Sequence, residues 1–192
     1  MDHLRKGALI VGAASGLSID DIKLSSRKIY ALNSAYFFLE ENNIDVEALI
    51  TGDGRFLAKQ SKGRLSKLNN LVTFNYDSKQ PGYQVLGGKA FFFNCLGRDG
   101  FSNDGEKGFY HGCSSFFLAV QYLTFLGYKS IQTLGVKFPP PEMYRRIDDS
   151  ATQPEFVYHI QLRNIIAMRQ FLSKNLVVLE SLDTDSNLSI LV

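Results

Sequence analysis

Short apolar runs alternate along the chain with longer segments whose apolar residues recur at helical spacing. The short runs are typical of buried strands, and the longer segments are typical of helices. The predicted strands cover residues 8–11, 28–32, 46–51, 71–74, 90–94, 131–136 and 176–179. A short helix is predicted from Ile19, and further helices are predicted over residues 35–41, 56–68, 114–126 and 154–174. This alternation predicts an α/β fold: one domain over residues 1–192, with a Rossmann-like, mostly parallel sheet and helices on both faces.

Two segments interrupt the alternation. Residues 97–112 contain five glycines and several charges, and residues 139–153 begin with three prolines and include Tyr144, Arg145 and Arg146. Loops of this length in a compact domain are usually functional or disordered. Both follow predicted strands, at the edge where open α/β sheets bind their ligands. We therefore expect ligand contacts at this edge.

The first predicted strand stops at a turn of glycine, alanine and serine, VGAASGLS, over residues 11–18. Glycine lets the backbone turn tightly and approach a ligand, and amides at the start of a helix favour an anion. The turn therefore predicts a phosphate-binding cradle formed by Gly12, Ala13 and Ser15, with a nucleotide or nucleotide-sugar as ligand. The plainer alternative is an ordinary strand-to-helix turn.

Composition and cysteine usage narrow the class of protein. A formal charge of +2 over 192 residues favours no class of charged partner, and no nucleic-acid-binding motif is visible. Cys95 and Cys113 are far apart and lack CxxC spacing, which indicates a reduced protein without a disulfide framework or a zinc site. No signal peptide or bilayer-length apolar run is recognisable. We therefore expect a cytoplasmic protein that does not bind nucleic acid.

Residues 55–67 form a basic segment without any acidic residue. Its cations are Arg55, Lys59, Lys62, Arg64 and Lys67. Such a run is either the solvated face of a helix or a contact for anionic lipid or lipopolysaccharide. Peripheral attachment to the inner face of a membrane therefore stays open. A homo-oligomer is also open, because the sequence does not determine the oligomeric state.

The glycine turn resembles the TGxxxGxG turn of the short-chain dehydrogenases, but the rest of their chemistry is missing. That family needs a glycine where Ser18 stands, and no tyrosine in this chain is followed by lysine four residues later. The second predicted strand, which ends in IYALNS, carries no acidic residue to hold a ribose. The residues that hydride transfer requires in that family are therefore missing, and an oxidoreductase is the weaker alternative.

A second resemblance covers nearly the whole chain. Asn33 ends the second strand in ALNSAYFF, and SSFFLAVQYLTFLG leads directly into GYKSIQTLGVKF. The segments YHIQLRNIIAMRQFL, LVVLE and DSNL follow in that order. This order resembles the sialyltransferases of glycosyltransferase family 42, and it is similar to the MptE-like family, which includes 6-hydroxymethylpterin diphosphokinases. The resemblance implies a GT-A-like variant of the Rossmann-like fold and a single nucleotide-sugar-binding domain.

The resemblance also implies roles for individual residues. Asn33 matches the family asparagine that contacts a cytidine nucleotide, and Ser114 or Ser115 matches the serine at the helix start. His159 falls where the sialyltransferases have their catalytic base. Histidine suits that role because an imidazole near neutral pKa is the usual general base. Tyr144 lies close to one of two tyrosines that hold the donor phosphate. A histidine packed at a helix start is the plainer interpretation of His159.

Three family positions differ in this chain. Ala13 replaces an asparagine of the glycine-rich turn, Lys137 replaces a strand-end aspartate, and Pro139 stands at the second phosphate-binding tyrosine. A different donor or a lost activity would explain all three changes. Lys137 and Arg145 place positive charge where a phosphate leaving group develops charge, although a solvated surface loop is the alternative.

Two further residues are candidates from the residue pattern alone. Asp53, in ALITGDGRF, follows the third predicted strand and is placed to bind a ribose hydroxyl or a divalent metal, unless it only caps the following turn. His111, the other candidate histidine, lies in the glycine-rich loop just before the two serines. The plainer interpretation is an exposed loop histidine without a functional role. No DxD motif is present, so the pattern requires neither a metal nor another cofactor.

These observations predict a glycosyltransferase. The expected reaction moves a sugar, sialic acid or a relative, from a CMP donor onto a cell-surface glycan or lipopolysaccharide acceptor. Two alternatives come from other classes. An MptE-like diphosphokinase would use ATP and Mg²⁺, and a non-catalytic homologue would bind a nucleotide or glycan without turnover.

Overall fold

The computed structural model describes residues 7–14, 17–75, 89–139 and 154–183, together with Ser186 and Leu188. Among them, the short buried runs become strands. Seven strands build the main sheet: β1 (Ala8–Val11), β2 (Lys28–Leu32), β3 (Ala48–Ile50), β4 (Asn70–Phe74), β5 (Lys89–Phe93), β8 (Ser130–Leu134) and β9 (Val178–Ser181). Two short strands pair separately: β6 (Cys95–Gly97) and β7 (Phe109–Tyr110). The helices are α1 (Ile19–Leu24), α2 (Ala35–Glu41), α3 (Gly54–Ala58), α4 (Lys62–Leu65), α5 (Ser115–Phe125) and α6 (Glu155–Asn175).

The main sheet is parallel at every pairing, in the order β5-β4-β3-β2-β1-β8-β9. The chain moves outward from β1 to β5 and then returns to the other side of β1 through β8. The strand order therefore reverses between β1 and β8, which makes their carboxyl ends a topological switch point. All four residues of β1 are buried, because the central strand of such a sheet is covered on both faces.

Side chains alternate between two apolar cores, one on each face of the sheet. Ile10 points into the core that includes α5 and α6, whereas Leu9 points into the core that includes α1, α2, α3 and α4. The predicted single α/β domain with a Rossmann-like sheet and helices on both faces is confirmed. No helix among the described residues has the length and apolar character needed to cross a bilayer.

Helix α5 is apolar on all sides, and its first ten residues are buried between the sheet and the rest of the domain. Gln121 is its fully buried polar side chain. Its Oε1 accepts hydrogen bonds from the amides of Ser102 and Tyr110, both at 3.0 Å. Its Nε2 donates to the Phe117 carbonyl at 2.8 Å. The side chain therefore fastens part of the 97–112 loop to the helix.

Three predictions of local structure were wrong. The basic segment is not one helix, because Ser61 accepts a hydrogen bond from the Arg64 amide and starts α4 separately from α3. Leu176 has φ 54° and ends α6, so the last strand begins at Val178 instead of at residue 176. The 97–112 segment is not irregular throughout, since β6 and β7 pair across it.

Candidate functional site

The carboxyl ends of β2 and β3 meet the first turn of α5. Asn33 follows β2, Thr51 follows β3, and Ser115 is the first residue of α5. Thr51 Oγ1 donates a hydrogen bond to Asn33 Oδ1 at 2.7 Å, and Ser115 Oγ donates to the same oxygen at 3.2 Å. We refer to Asn33, Thr51 and Ser115 as the Asn33 cluster.

Backbone amides set the orientation of this cluster. The Gly52 amide donates to Ser115 Oγ at 3.0 Å, and the Asp53 amide donates to Thr51 Oγ1 at 3.1 Å. Each hydroxyl accepts an amide hydrogen and directs its own hydrogen to Asn33 Oδ1. The carboxamide of Asn33 is therefore held with its oxygen inward. Its Nδ2 forms the other branch and makes no hydrogen bond with the described residues.

Asn33 also has an uncommon backbone conformation. Its φ is 50°, in the left-handed region that non-glycine residues rarely adopt and that asparagine tolerates best. Such conformations cluster at binding and active sites, where the surrounding structure holds them. Here the two hydroxyl contacts supply that support, and the half-buried side chain is kept at the sheet edge.

His111 connects the end of β3 with the loop before α5. Its Nδ1 accepts a hydrogen bond from the Cys113 amide at 3.0 Å, so its Nε2 carries the hydrogen and donates to the Gly52 carbonyl at 3.1 Å. Both ring nitrogens are therefore engaged, and the ring also lies 5.7 Å from that of Phe74. The arrangement makes His111 a positioning residue for the site.

The start of α5 separates the two serine candidates. Ser114 Oγ accepts a hydrogen bond from the Phe116 amide at 3.2 Å and caps the helix, whereas Ser115 enters the Asn33 cluster. The Ser115 amide makes no hydrogen bond with the described residues. No acidic residue lies in the first turn, so the helix dipole presents partial positive charge here. Burial raises the pKa of the adjacent Cys113 thiol.

Two amides of the glycine-rich turn donate to carbonyls at the end of β8 and directly after it. The Gly12 amide donates to the Leu134 carbonyl at 2.8 Å, and the Ala14 amide donates to the Gly135 carbonyl at 3.0 Å. Of the predicted cradle residues that the structure describes, Gly12 and Ala13, the amide of Ala13 makes no hydrogen bond with the described residues. Ser15 lies outside the described residues. The predicted phosphate cradle therefore retains one described amide.

Asp53 and Lys137 lie at the same edge of the sheet. Asp53 Oδ1 accepts hydrogen bonds from the amides of Arg55 at 3.0 Å and Phe56 at 3.3 Å, so it caps α3. Lys137 follows β8 and is half-buried. Capping engages one carboxylate oxygen of Asp53, and its ligand role stays a prediction.

His159 lies in the second turn of α6, and within the part of the chain that the structure describes no hydrogen bond or ion pair joins it to the Asn33 cluster. The buried residues of α6 occupy one side of the helix, and His159 points away from it, with 59% of its side chain exposed. Its Nε2 lies 3.5 Å from a carboxylate oxygen of Glu155. Tyr144, Arg145 and Arg146 lie outside the described residues, so their predicted roles stay predictions.

In the basic segment 55–67, two arginines have ion-pair partners among the described residues. Arg64 lies 3.0 Å from Glu41 and over the ring of Phe37, and Arg55 contacts Asp53 at 3.5 Å. The three lysines of the segment are exposed. Its contact with a membrane or lipopolysaccharide stays a prediction. Within the described ranges, no three His, Cys, Asp or Glu side chains are grouped as metal ligands.

Sequence reasoning missed Thr51 and the bridging role of His111. Thr51 follows a buried apolar strand directly, and a hydroxyl at that place was the available signal. The bond from His111 to the Gly52 carbonyl could not be inferred, because it joins residues 59 positions apart. Comparison of the chain with protein-family models, with curated proteins and with solved structures found no match.

Proposed function

We propose that this protein is a glycosyltransferase that binds a nucleotide-sugar at the carboxyl edge of the sheet and moves its sugar to a glycan acceptor. The observation that supports this most is the orientation of Asn33. Its Oδ1 is held by two hydroxyls, which leaves the two Nδ2 hydrogens for an acceptor on a ligand. Carbonyl, hydroxyl and phosphate oxygens of a nucleotide are acceptors of this kind.

Nearby amides extend this donor surface. The Ser115 amide opens α5, where the helix dipole favours a phosphate group, and the Ala13 amide lies at the end of β1. We assign the nucleotide phosphate to these donors and to Lys137. Together with the resemblance to family 42 enzymes, this set favours a CMP-sugar, with sialic acid or a related sugar as the transferred group.

The proposed reaction needs an acceptor hydroxyl, a leaving nucleotide and one base. The acceptor oxygen bonds to the anomeric carbon of the sugar while the bond from that carbon to the phosphate oxygen breaks. CMP leaves with the bonding electrons, and His159 takes the proton of the acceptor hydroxyl. A carboxylate oxygen of Glu155 lies 3.5 Å from the Nε2 of His159. No further cofactor is required by this scheme.

A nucleotide screen tests the proposed donor class. CMP and a CMP-sugar are expected to raise the melting temperature of the protein more than UDP, GDP, ADP or ATP, with or without Mg²⁺. A ligand at about 100 times its Kd stabilises by about 2.7 kcal/mol, which corresponds to a shift of roughly 5–10 °C for a chain of this size. Stabilisation by ATP only with Mg²⁺ would favour the diphosphokinase, and no shift with any nucleotide would refute the proposal.

His159→Ala tests the proposed base. We expect transfer to fall by a factor of about 10²–10⁴, while CMP still stabilises the variant as it does the parent protein. Arg169→Ala, on an exposed position of the same helix, is the matched control and should transfer normally. A His159→Ala rate equal to that of the control would remove His159 from the reaction. CMP binding without any turnover by the parent protein would instead indicate the non-catalytic homologue.

A further inference from the structure

A pair of arginines shares one carboxylate on the surface between the 97–112 loop and α6. Arg98 Nε lies 3.4 Å from Asp99 Oδ2, and Arg163 Nη2 lies 3.8 Å from the same oxygen. We refer to Arg98 and Arg163 as the arginine pair. Two guanidinium groups face one carboxylate, so the group carries excess positive charge.

A buried amide fixes the carboxylate that the arginine pair shares. Asn164 is 1% exposed, and its Nδ2 donates a hydrogen bond to Asp99 Oδ1 at 2.9 Å. Its Oδ1 accepts from the Gly100 amide at 3.2 Å, and its Nδ2 also donates to the Ile160 carbonyl at 2.9 Å. Asp99 is therefore anchored by its Oδ1, and its Oδ2 is turned to the arginines. This scaffold gives the arginine pair a defined place.

The arginine pair lies beside the first turn of α5. The Gly112 amide donates to the Arg98 carbonyl at 2.8 Å, and Gln161, two residues before Arg163, donates from Nε2 to the Cys113 carbonyl at 3.0 Å. Burial has the largest effect on the pKa of the Cys113 thiol and raises it; the charges of Arg98 and Arg163 lower it, and the charge of Asp99 raises it. Cys113 is two residues before Ser115, so the loop and helix that carry the arginine pair are both tied to the segment that leads into α5.

Fold stability does not account for this arrangement. The arginine side chains are 58% and 59% exposed, and exposed ion pairs contribute about 0–1 kcal/mol. The loop is already attached through the buried side chains of Asn164 and Gln121. Each guanidinium has five N–H donors, and one shared carboxylate oxygen engages few of them. Donors and positive charge are therefore available to a ligand.

We propose that Arg98 and Arg163 form a subsite for a carboxylate or phosphate group of the substrate, beside the segment that leads into α5. The planar guanidinium binds both groups with paired, charge-assisted hydrogen bonds. The identity of the substrate that carries the anion rests on the proposed function. That anion is either the phosphate of the nucleotide, which the arginine pair would then share with the Ser115 and Ala13 amides and Lys137, or the carboxylate of an acidic sugar.

Inorganic phosphate and acetate test the subsite without any nucleotide. In NMR titrations of the full chain, the side-chain Nε–H signals of Arg98 and Arg163 are expected to shift and saturate together. Replacing either arginine with glutamine should weaken phosphate binding about tenfold, the usual effect of losing one charge-assisted hydrogen bond. Arg64→Gln is the matched control, because Arg64 is 50% exposed and ion-paired but lies on the opposite core's helices. Signals that neither anion moves would overturn the proposal.

Nucleotide ligands then identify the anion. Cytidine, CMP and a CMP-linked acidic sugar are compared for the parent chain and for the Arg98→Gln, Arg163→Gln double variant. A preference for CMP over cytidine that falls in the variant identifies the phosphate, and a lost preference for the acidic sugar over CMP identifies the carboxylate. Unchanged preferences would overturn the subsite while leaving the proposed function standing. Arginine signals that respond to inorganic phosphate, with no nucleotide bound, would support the subsite and refute the nucleotide-sugar proposal.

Discussion

Gly12→Ala is expected to lower the free energy of unfolding by about 3 kcal/mol or more, because a Cβ there has no space. The added carbon would overlap the carbonyl oxygen of Gly135, and it would lie 2.8 Å from the Gly135 carbonyl carbon and 2.9 Å from Val136 Cγ2. Backbone atoms cannot rotate away as a flexible side chain can. The carboxyl ends of β1 and β8 would have to separate, which also weakens the bond from the Gly12 amide to Leu134.

Gly63→Ala is the matched control for this change. Gly63 lies within α4, and a Cβ there has no neighbouring atom within 4 Å. Alanine in a helix is favoured over glycine by roughly 0.5–1 kcal/mol, so this variant should be as stable as the parent or slightly more stable. Urea unfolding of both variants measures the difference. Equal midpoints would show that β1 and β8 accommodate the methyl group.

The close contact at Gly12 offers a second explanation for a glycine at the start of the turn. A glycine after a buried strand is also expected where a backbone approaches a ligand, as in a phosphate cradle. Here the approaching backbone belongs to β8, so strand packing already requires glycine at position 12. If Gly12→Ala loses stability in the absence of nucleotide, close packing of the strand ends is the reason for glycine at this position. Ligand binding would then depend on the other residues at the carboxyl edge of the sheet.

Asn33→Asp is expected to weaken CMP binding by a factor of about 100 while leaving the domain folded. An aspartate keeps an oxygen to accept hydrogen bonds from Thr51 and Ser115, so the internal contacts survive. It replaces the Nδ2 donors with a second, negatively charged oxygen. Two lost hydrogen bonds to the ligand, at about 1 kcal/mol each, and repulsion of an anionic nucleotide together account for the expected loss.

The chain offers a closely matched control for this substitution. Asn43 has φ 57°, nearly that of Asn33, and its side chain is exposed after the end of α2. Asn43→Asp makes the same chemical change in the same backbone conformation, away from the site. Isothermal titration calorimetry with CMP should give the parent affinity for this control. An Asn33→Asp variant that binds CMP as tightly would remove Asn33 from ligand recognition.

Local pattern was sufficient for most of the fold. Each strand of the main sheet was predicted to within about two residues, because buried strands of a parallel sheet are nearly continuous apolar runs. The prediction of one helix over the basic segment was wrong because periodicity does not reveal the hydrogen bonds that break it. Ser61 makes a local bond with the Arg64 amide, and Asn69, just after the segment, donates to the distant Val46 carbonyl. The paired strands within the glycine loop were missed for the related reason that two or three residues carry no period.

The sequence by itself determined the strands, their parallel alternation with helices, and the presence of polar residues where strands end and helices begin. Asn33 and the serines Ser114 and Ser115 were named through the family resemblance, and local pattern only placed them where a strand ends and a helix begins. Tertiary structure decided which groups these residues contact. The bonds of Asn33 to Thr51 and Ser115 span 18 and 82 positions, and the Gly12 amide is taken by β8. Hydrogen-bond partners far apart in the chain are set by packing, which local pattern does not encode.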